Sequence, residues 1–118
     1  MKFMLILKAS KDSEAGKMPS QEVISAMVKY NQDEAKAGVL LDAAGLYPSS
    51  TGARVNVSAQ GKKTVVDGPF TESKELVAGY WLIQVKSIEE AIEWAKRAPI
   101  TAGQETQIEV RQFIEFEG

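Results

Sequence analysis

Val77-Ala78-Gly79-Tyr80-Trp81-Leu82-Ile83-Gln84-Val85 is the most apolar run in the chain. In extended form Val77, Gly79, Trp81, Ile83 and Val85 share one face, and Ala78, Tyr80, Leu82 and Gln84 share the other. Both faces are apolar, which marks a central strand covered on two sides. Lys2–Lys8 repeats the pattern: Phe3, Leu5 and Leu7 point one way, Met4 and Ile6 the other. The remaining elements arrange themselves around these two strands.

Pro19 and Ser20 open a helix expected over about 19–37, stopped at Gly38, with Val23, Ile24, Met27, Val28 and Ala35 as its buried stripe. The stretch between strand and helix, with Gly16, reads as a polar loop. An extended segment runs from Val39 through Gly45-Leu46 to Tyr47-Pro48. Residues 53–59 alternate, with Val55, Val57 and Ala59 opposite Arg54, Asn56 and Ser58. Gln60-Gly61-Lys62 turns the chain into Lys63-Thr64-Val65-Val66, giving a hairpin with one wet face near a sheet edge. Asp67-Gly68-Pro69-Phe70 breaks the sheet, and Thr71–Leu76 reads as a short polar turn or a single helical turn. Ser87-Ile88-Glu89-Glu90 is a capping box opening a second helix, buried along Ile88, Ala91, Ile92 and Ala95, with Glu93–Arg97 as an i,i+4 pair and Pro99 as its end. Trp94 flanks that stripe as a packing residue. A last strand is expected over about 106–116 by alternation.

Strand, helix, strands, strand, helix, strand is an α+β order: the ferredoxin-like βαββαβ plan with an extra hairpin. Both helices then cover one face of an antiparallel sheet. The apolar second face of the two central strands still needs cover, and a second copy of the chain supplies it most simply. The expectation is a homodimer, with the 118 residues forming a single domain, 1–118, in each copy.

Composition narrows the chemistry. Apolar residues make up 44% and charged residues 25%, as in soluble globular proteins. Fourteen basic against sixteen acidic residues give a net charge of -2, with no basic field for nucleic acid. The chain has no cysteine and no histidine. That excludes thiolate and imidazole catalysis and zinc-thiolate sites, so acid–base work falls to Asp, Glu, Lys or Tyr. No Gly-rich phosphate loop and no EF-hand spacing occurs, so neither a cofactor nor a metal is expected. The apolar run Phe3–Leu7 is shorter than the ~7–15 residues of a signal h-region, and no window approaches the ~18 of a membrane span. The chain reads as cytoplasmic, with no membrane association.

Asp67-Gly68-Pro69-Phe70, then Thr71-Glu72-Ser73-Lys74-Glu75 and Gly79-Tyr80-Trp81, resembles the DGPF signature of the YCII-related proteins. Gly38-Val39-Leu40-Leu41, Gly45-Leu46-Tyr47-Pro48-Ser49, Ile88–Ala95 and Ile108-Glu109-Val110-Arg111 also match that family's segments, so the likeness runs from Met1 to Arg111. The resemblance implies a dimeric α+β barrel and, for some members, an association with extracytoplasmic-function sigma factors. A related branch carries a His-Asp pair proposed as catalytic, which has no counterpart here.

Asp67 is the first site candidate, as a strand-end base or ligand anchor; the alternative is an Asx turn ahead of Gly-Pro. Phe70 is an apolar wall or a core plug, and Thr71, Ser73, Lys74 and Glu75 line a pocket mouth or form a solvated turn. The Tyr80 hydroxyl needs a partner if buried, and Asp67 is a candidate. Arg111 clamps an anionic ligand or pairs with a nearby glutamate. Arg54 is solvated on the hairpin, and Asp42 stands where the resemblance implies polar pocket groups. Three functions fit: a dimeric small-molecule-binding module near transcription, a cofactor-free isomerase- or oxygenase-like enzyme with Asp67 as base and Arg111 or Lys74 stabilising negative charge, and a protein-interaction subunit with an apolar patch left exposed.

Overall fold

In the computed structural model, residues 1–72, 75–100 and 105–116 are described, and the elements below lie among them. Strand β1 (Lys2–Lys8) pairs antiparallel with β5 (Val77–Gln84) on one side and β6 (Ile108–Gln112) on the other. Strand β2 (Leu40–Gly45) pairs antiparallel with β5. The sheet order is therefore β2-β5-β1-β6, with the two doubly apolar strands in the centre. This is the strand order of a ferredoxin-like sheet, in a mixed α+β chain, as the sequence predicts.

The helices pack on the face formed by Phe3, Leu5, Trp81 and Ile83, of which Phe3, Leu5 and Ile83 are fully buried. Helix α2 (Gln21–Lys36) starts at Ser20, whose hydroxyl accepts from the Val23 N–H. Its buried line runs through Met27, Tyr30 and Glu34, while Val28 is half exposed and Ala35 lies in solvent. The stripe keeps its helical period but passes through two residues with polar groups, which a count of apolar positions skips. Tyr30 meets Trp81 edge-on at 5.2 Å and Trp94 at 6.2 Å, and its hydroxyl donates to the Trp94 carbonyl at 2.7 Å. Trp81 donates its indole N–H to Asn31 at 2.7 Å.

Helix α3 (Ile88–Lys96) is capped by Ser87, which accepts from the Glu90 N–H, while Glu90 reaches back to the N–H of Lys86. Its core side is Ala91, Trp94 and Ala95, continued by Ala98 just past its end; Ile88 and Ile92 are partly exposed, at 44% and 38%. Trp94, buried in the core cluster and edge-on to Tyr30, is thus a core member of α3 where the two isoleucines are not. The expected Glu93–Arg97 pair is not formed: Glu93 pairs with Lys96 at 3.0 Å, and Arg97 stacks over the Trp94 ring at 4.1 Å.

Three further expectations are corrected. The polar loop after β1 contains a short helix, α1 (Lys11–Glu14), because Ser10 and Ser13 cap each other reciprocally. The last strand ends well before residue 116, since β1 begins at Lys2 and leaves nothing to pair with beyond the Phe113 N–H bond to the Lys2 carbonyl. The hairpin of β3 (Ala53–Val57) and β4 (Lys63–Asp67) forms its own two-stranded sheet. All its residues are exposed, so the expected dry face is open within one chain. No helix among the described residues is long and apolar enough to cross a membrane.

Candidate functional site

The face of the four-stranded sheet opposite the helices is bare in a single chain. Register places Met4 beside Leu82 and Arg111, and Ile6 beside Tyr80 and Glu109. A bulge between Leu40 and Asp42 decides what β2 adds. Leu40 and Ala43 stay against the core, whereas Asp42 pairs with Leu82 and Ala44 with Tyr80, on the bare face. The result is an apolar centre, Met4, Ile6 and Leu82, flanked by polar groups on both edges.

At the β2 edge the Tyr80 hydroxyl donates to Asp42 Oδ2 at 3.0 Å. Asp42 also accepts from the Ala43 N–H at 2.9 Å, which orients its carboxylate. The hydrogen bond and negative charge of Asp42 raise the Tyr80 pKa, so the phenol is held neutral as a donor. At the β6 edge Arg111 pairs with Glu109 at 3.1 Å, and Lys8 lies 3.9 Å from the same carboxylate. The Arg111–Glu109 pair is exposed, and such pairs contribute ~0–1 kcal/mol. Their consequence is a polar edge that presents a guanidinium.

The DGPF segment is built elsewhere, at the root of the hairpin. Ser49 organises it: its hydroxyl donates to Glu14, its backbone N–H donates to Glu14 Oε2 at 2.9 Å, and its Oγ accepts from the Phe70 N–H at 3.0 Å. Gly68 is required here, because a Cβ on it would sit 1.8 Å from the Ser49 carbonyl oxygen. Its own N–H donates to the Gly52 carbonyl at 3.0 Å. Phe70 is half-buried, and the Arg54 guanidinium lies 3.8 Å above its ring, so Arg54 stacks rather than standing free in water.

Of the site residues expected from sequence, Asp42, Tyr80 and Arg111 share the bare sheet face, and Asp42 and Tyr80 touch. Asp67 ends β4; its carboxylate accepts no hydrogen bond and meets no cation among the described residues. The Asp67–Tyr80 contact is therefore absent, and Asp42 takes that place. Phe70 belongs with Asp67 at the hairpin root, and Lys74 lies outside the described residues. Glu14 and Ser49 escaped the sequence reading because they are 35 positions apart and follow no spacing rule. Among the described residues no three acidic side chains converge as a metal site. A groove of about 510 Å³ runs between α3 and β6, lined by Ile92, Ala95, Lys96, Ala98, Ile100, Ile108 and Val110, and includes none of these candidates.

Two comparisons bear on the chain. An uncharacterised protein of Rhizobium meliloti (strain 1021) is 34% identical over 80 residues, a stretch that is 68% of this chain and 64% of the relative, so the match covers less than two thirds of that protein's length. The family model of the YCII-related domain matches residues 1–117. With nearly every residue inside that match, and with the DGPF segment and the four-stranded sheet both in place, the chain belongs to the YCII-related domain family.

Proposed function

We propose that the chain works in the cytoplasm as a homodimer, a dimeric α+β barrel in which two bare sheet faces pack together and enclose a small-molecule site. The observation that carries this is the layout of the face: apolar Met4, Ile6 and Leu82 in the middle, Asp42–Tyr80 at one edge, Glu109–Arg111 at the other. An apolar centre suits face-to-face packing, and the polar groups at the two edges offer hydrogen-bonding and charged contacts to a small polar molecule. Tyr80 offers a neutral O–H donor, Asp42 an acceptor, and Arg111 a fork for a carboxylate or phosphate. Asp67 and Phe70 would border the mouth from the hairpin root. A regulatory role near transcription, with a sigma factor as partner, rests on the family resemblance alone.

The test is a thermal-shift screen of the purified chain against a broad metabolite set. A ligand at ~100 times its Kd adds ~2.7 kcal/mol of stability. The reading expects a stabilising compound whose effect is lost in Asp42→Asn and Arg111→Ala. A compound that stabilises wild type and both variants equally contradicts the placement of the site.

A second reading, a protein-interaction subunit, is favoured by one observation. Val55, Val57 and Val65 stand on one face of the hairpin with 60%, 62% and 69% of their surface exposed. If these valines dock a partner, Val55→Lys leaves ligand stabilisation intact and abolishes capture of that partner. No specific observation favours the enzyme reading.

A further inference from the structure

One acidic side chain lies wholly inside the core. Glu34, in the last turn of α2, has no exposed surface, and neither of its carboxyl oxygens has a hydrogen-bond partner. Buried carboxylates are normally paired, since an unpaired charge in an apolar interior is strongly unfavourable. The groups around Glu34 explain why it stays unpaired. On its own helix Tyr30, one turn earlier, spends its hydroxyl on the Trp94 carbonyl. The helix-facing side of the sheet offers Phe3, Leu5, Ile83 and Trp81, and the indole N–H of Trp81 is taken by Asn31. From α3 the charged group acting on Glu34 is Arg97, which stacks over Trp94 and lies 4.0 Å from Asp33. Lys29 also holds Asp33, at 3.2 Å. Burial raises the Glu34 carboxyl to about 7, and Arg97 works against that rise.

We infer that Glu34 is a proton-operated latch between α2 and α3: protonated it rests in the core, and ionised it leaves the core towards Arg97 and loosens the end of α2. An ionised carboxylate with no partner is relieved by local opening, which exchanges apolar contact for water and a cation. The opening reaches the candidate site along a short path. The Val39 N–H donates to the Glu34 carbonyl, the Gln84 N–H donates to the Val39 carbonyl, and the chain then enters β2, which carries Asp42.

The experiment uses the intact protein, carbon-13-labelled at its glutamate side chains and titrated by NMR from about pH 4 to about pH 9, across the ordinary carboxyl range and well above it. Tryptophan emission is recorded in parallel, since Trp81 and Trp94 are the chain's two tryptophans and both adjoin Tyr30. The latch predicts one carboxyl titrating near pH 7. It also predicts an emission change with the same midpoint, both lost in Glu34→Gln and both moved to higher pH in Arg97→Gln. Three results overturn it: all carboxyls titrating in the ordinary acid range, a carboxyl near neutrality with flat emission, or an emission change that persists in Glu34→Gln. If Glu34→Gln does not fold, the Arg97→Gln midpoint decides, and an unmoved midpoint overturns the latch.

Discussion

At the scale of single residues, the contact most open to test is Tyr80 with Asp42. The carboxylate accepts the phenol proton's hydrogen bond and opposes its loss, so Asp42→Asn is expected to lower the Tyr80 titration midpoint towards the ordinary value of about 10. Ultraviolet absorbance of the tyrosinate, compared with wild type and with Tyr80→Phe, reads the change directly. Gly68 gives a second prediction. Any side chain there drives into the Ser49 carbonyl, so Gly68→Ala is expected to destabilise the chain by about 1–3 kcal/mol in urea unfolding. The sequence displayed both members of the Asp42–Tyr80 pair but not their pairing. Asp42 shares parity with Leu40, a core residue, and only the bulge after Leu40 turns it to the face of Tyr80. Alternation carries no mark of a bulge.

At the scale of elements, the two central strands and the helix starts are legible in the sequence, and the helix faces and the last strand's end are less so. The ends of β1 and β5 follow from their apolar limits, and Ser20 and Ser87 announce α2 and α3 through cap chemistry. The buried stripe of α2 differs from its apolar pattern because Tyr30 and Glu34, its most buried members, carry polar groups. Tyr30 justifies its position with a buried hydrogen bond, and Tyr30→Phe leaves the Trp94 carbonyl without that donor, at an expected cost of about 1–2 kcal/mol by chemical denaturation. Glu34 sets a pH dependence. The unfolded chain releases its proton near 4.5 and the folded chain near 7, so between those values the folded state holds the extra proton. Stability therefore falls as pH rises through that window, and the contribution is level above it. Urea midpoints of wild type and Glu34→Leu should diverge in favour of the variant over the same interval.

At the scale of the whole molecule, the single chain is a thin slab. Its extents are 46 × 43 × 18 Å and its radius of gyration is 16.1 Å. A compact domain of this length has a radius of about 13 Å. The excess fits a four-stranded sheet covered on one side only and a hairpin whose strands form a separate two-stranded sheet with every residue exposed. The first feature is legible, since Met4, Ile6 and Leu82 are apolar where a lone sheet would be wet; the separate, fully exposed hairpin is not, because its alternation reads as one dry face. Apolar residues on that face mark a surface suited to cover, and the sequence of one chain does not name what would supply it. If a second copy covers it, Ile6→Lys buries a charge at the centre of the interface and should separate the copies while leaving the helix-side core intact, as read by far-ultraviolet circular dichroism. The most direct measurement is sedimentation equilibrium of the wild-type chain at micromolar concentration. A mass of twice the 12.9 kDa chain is the expected result, and a 12.9 kDa monomer throughout the concentration range would contradict the covered face.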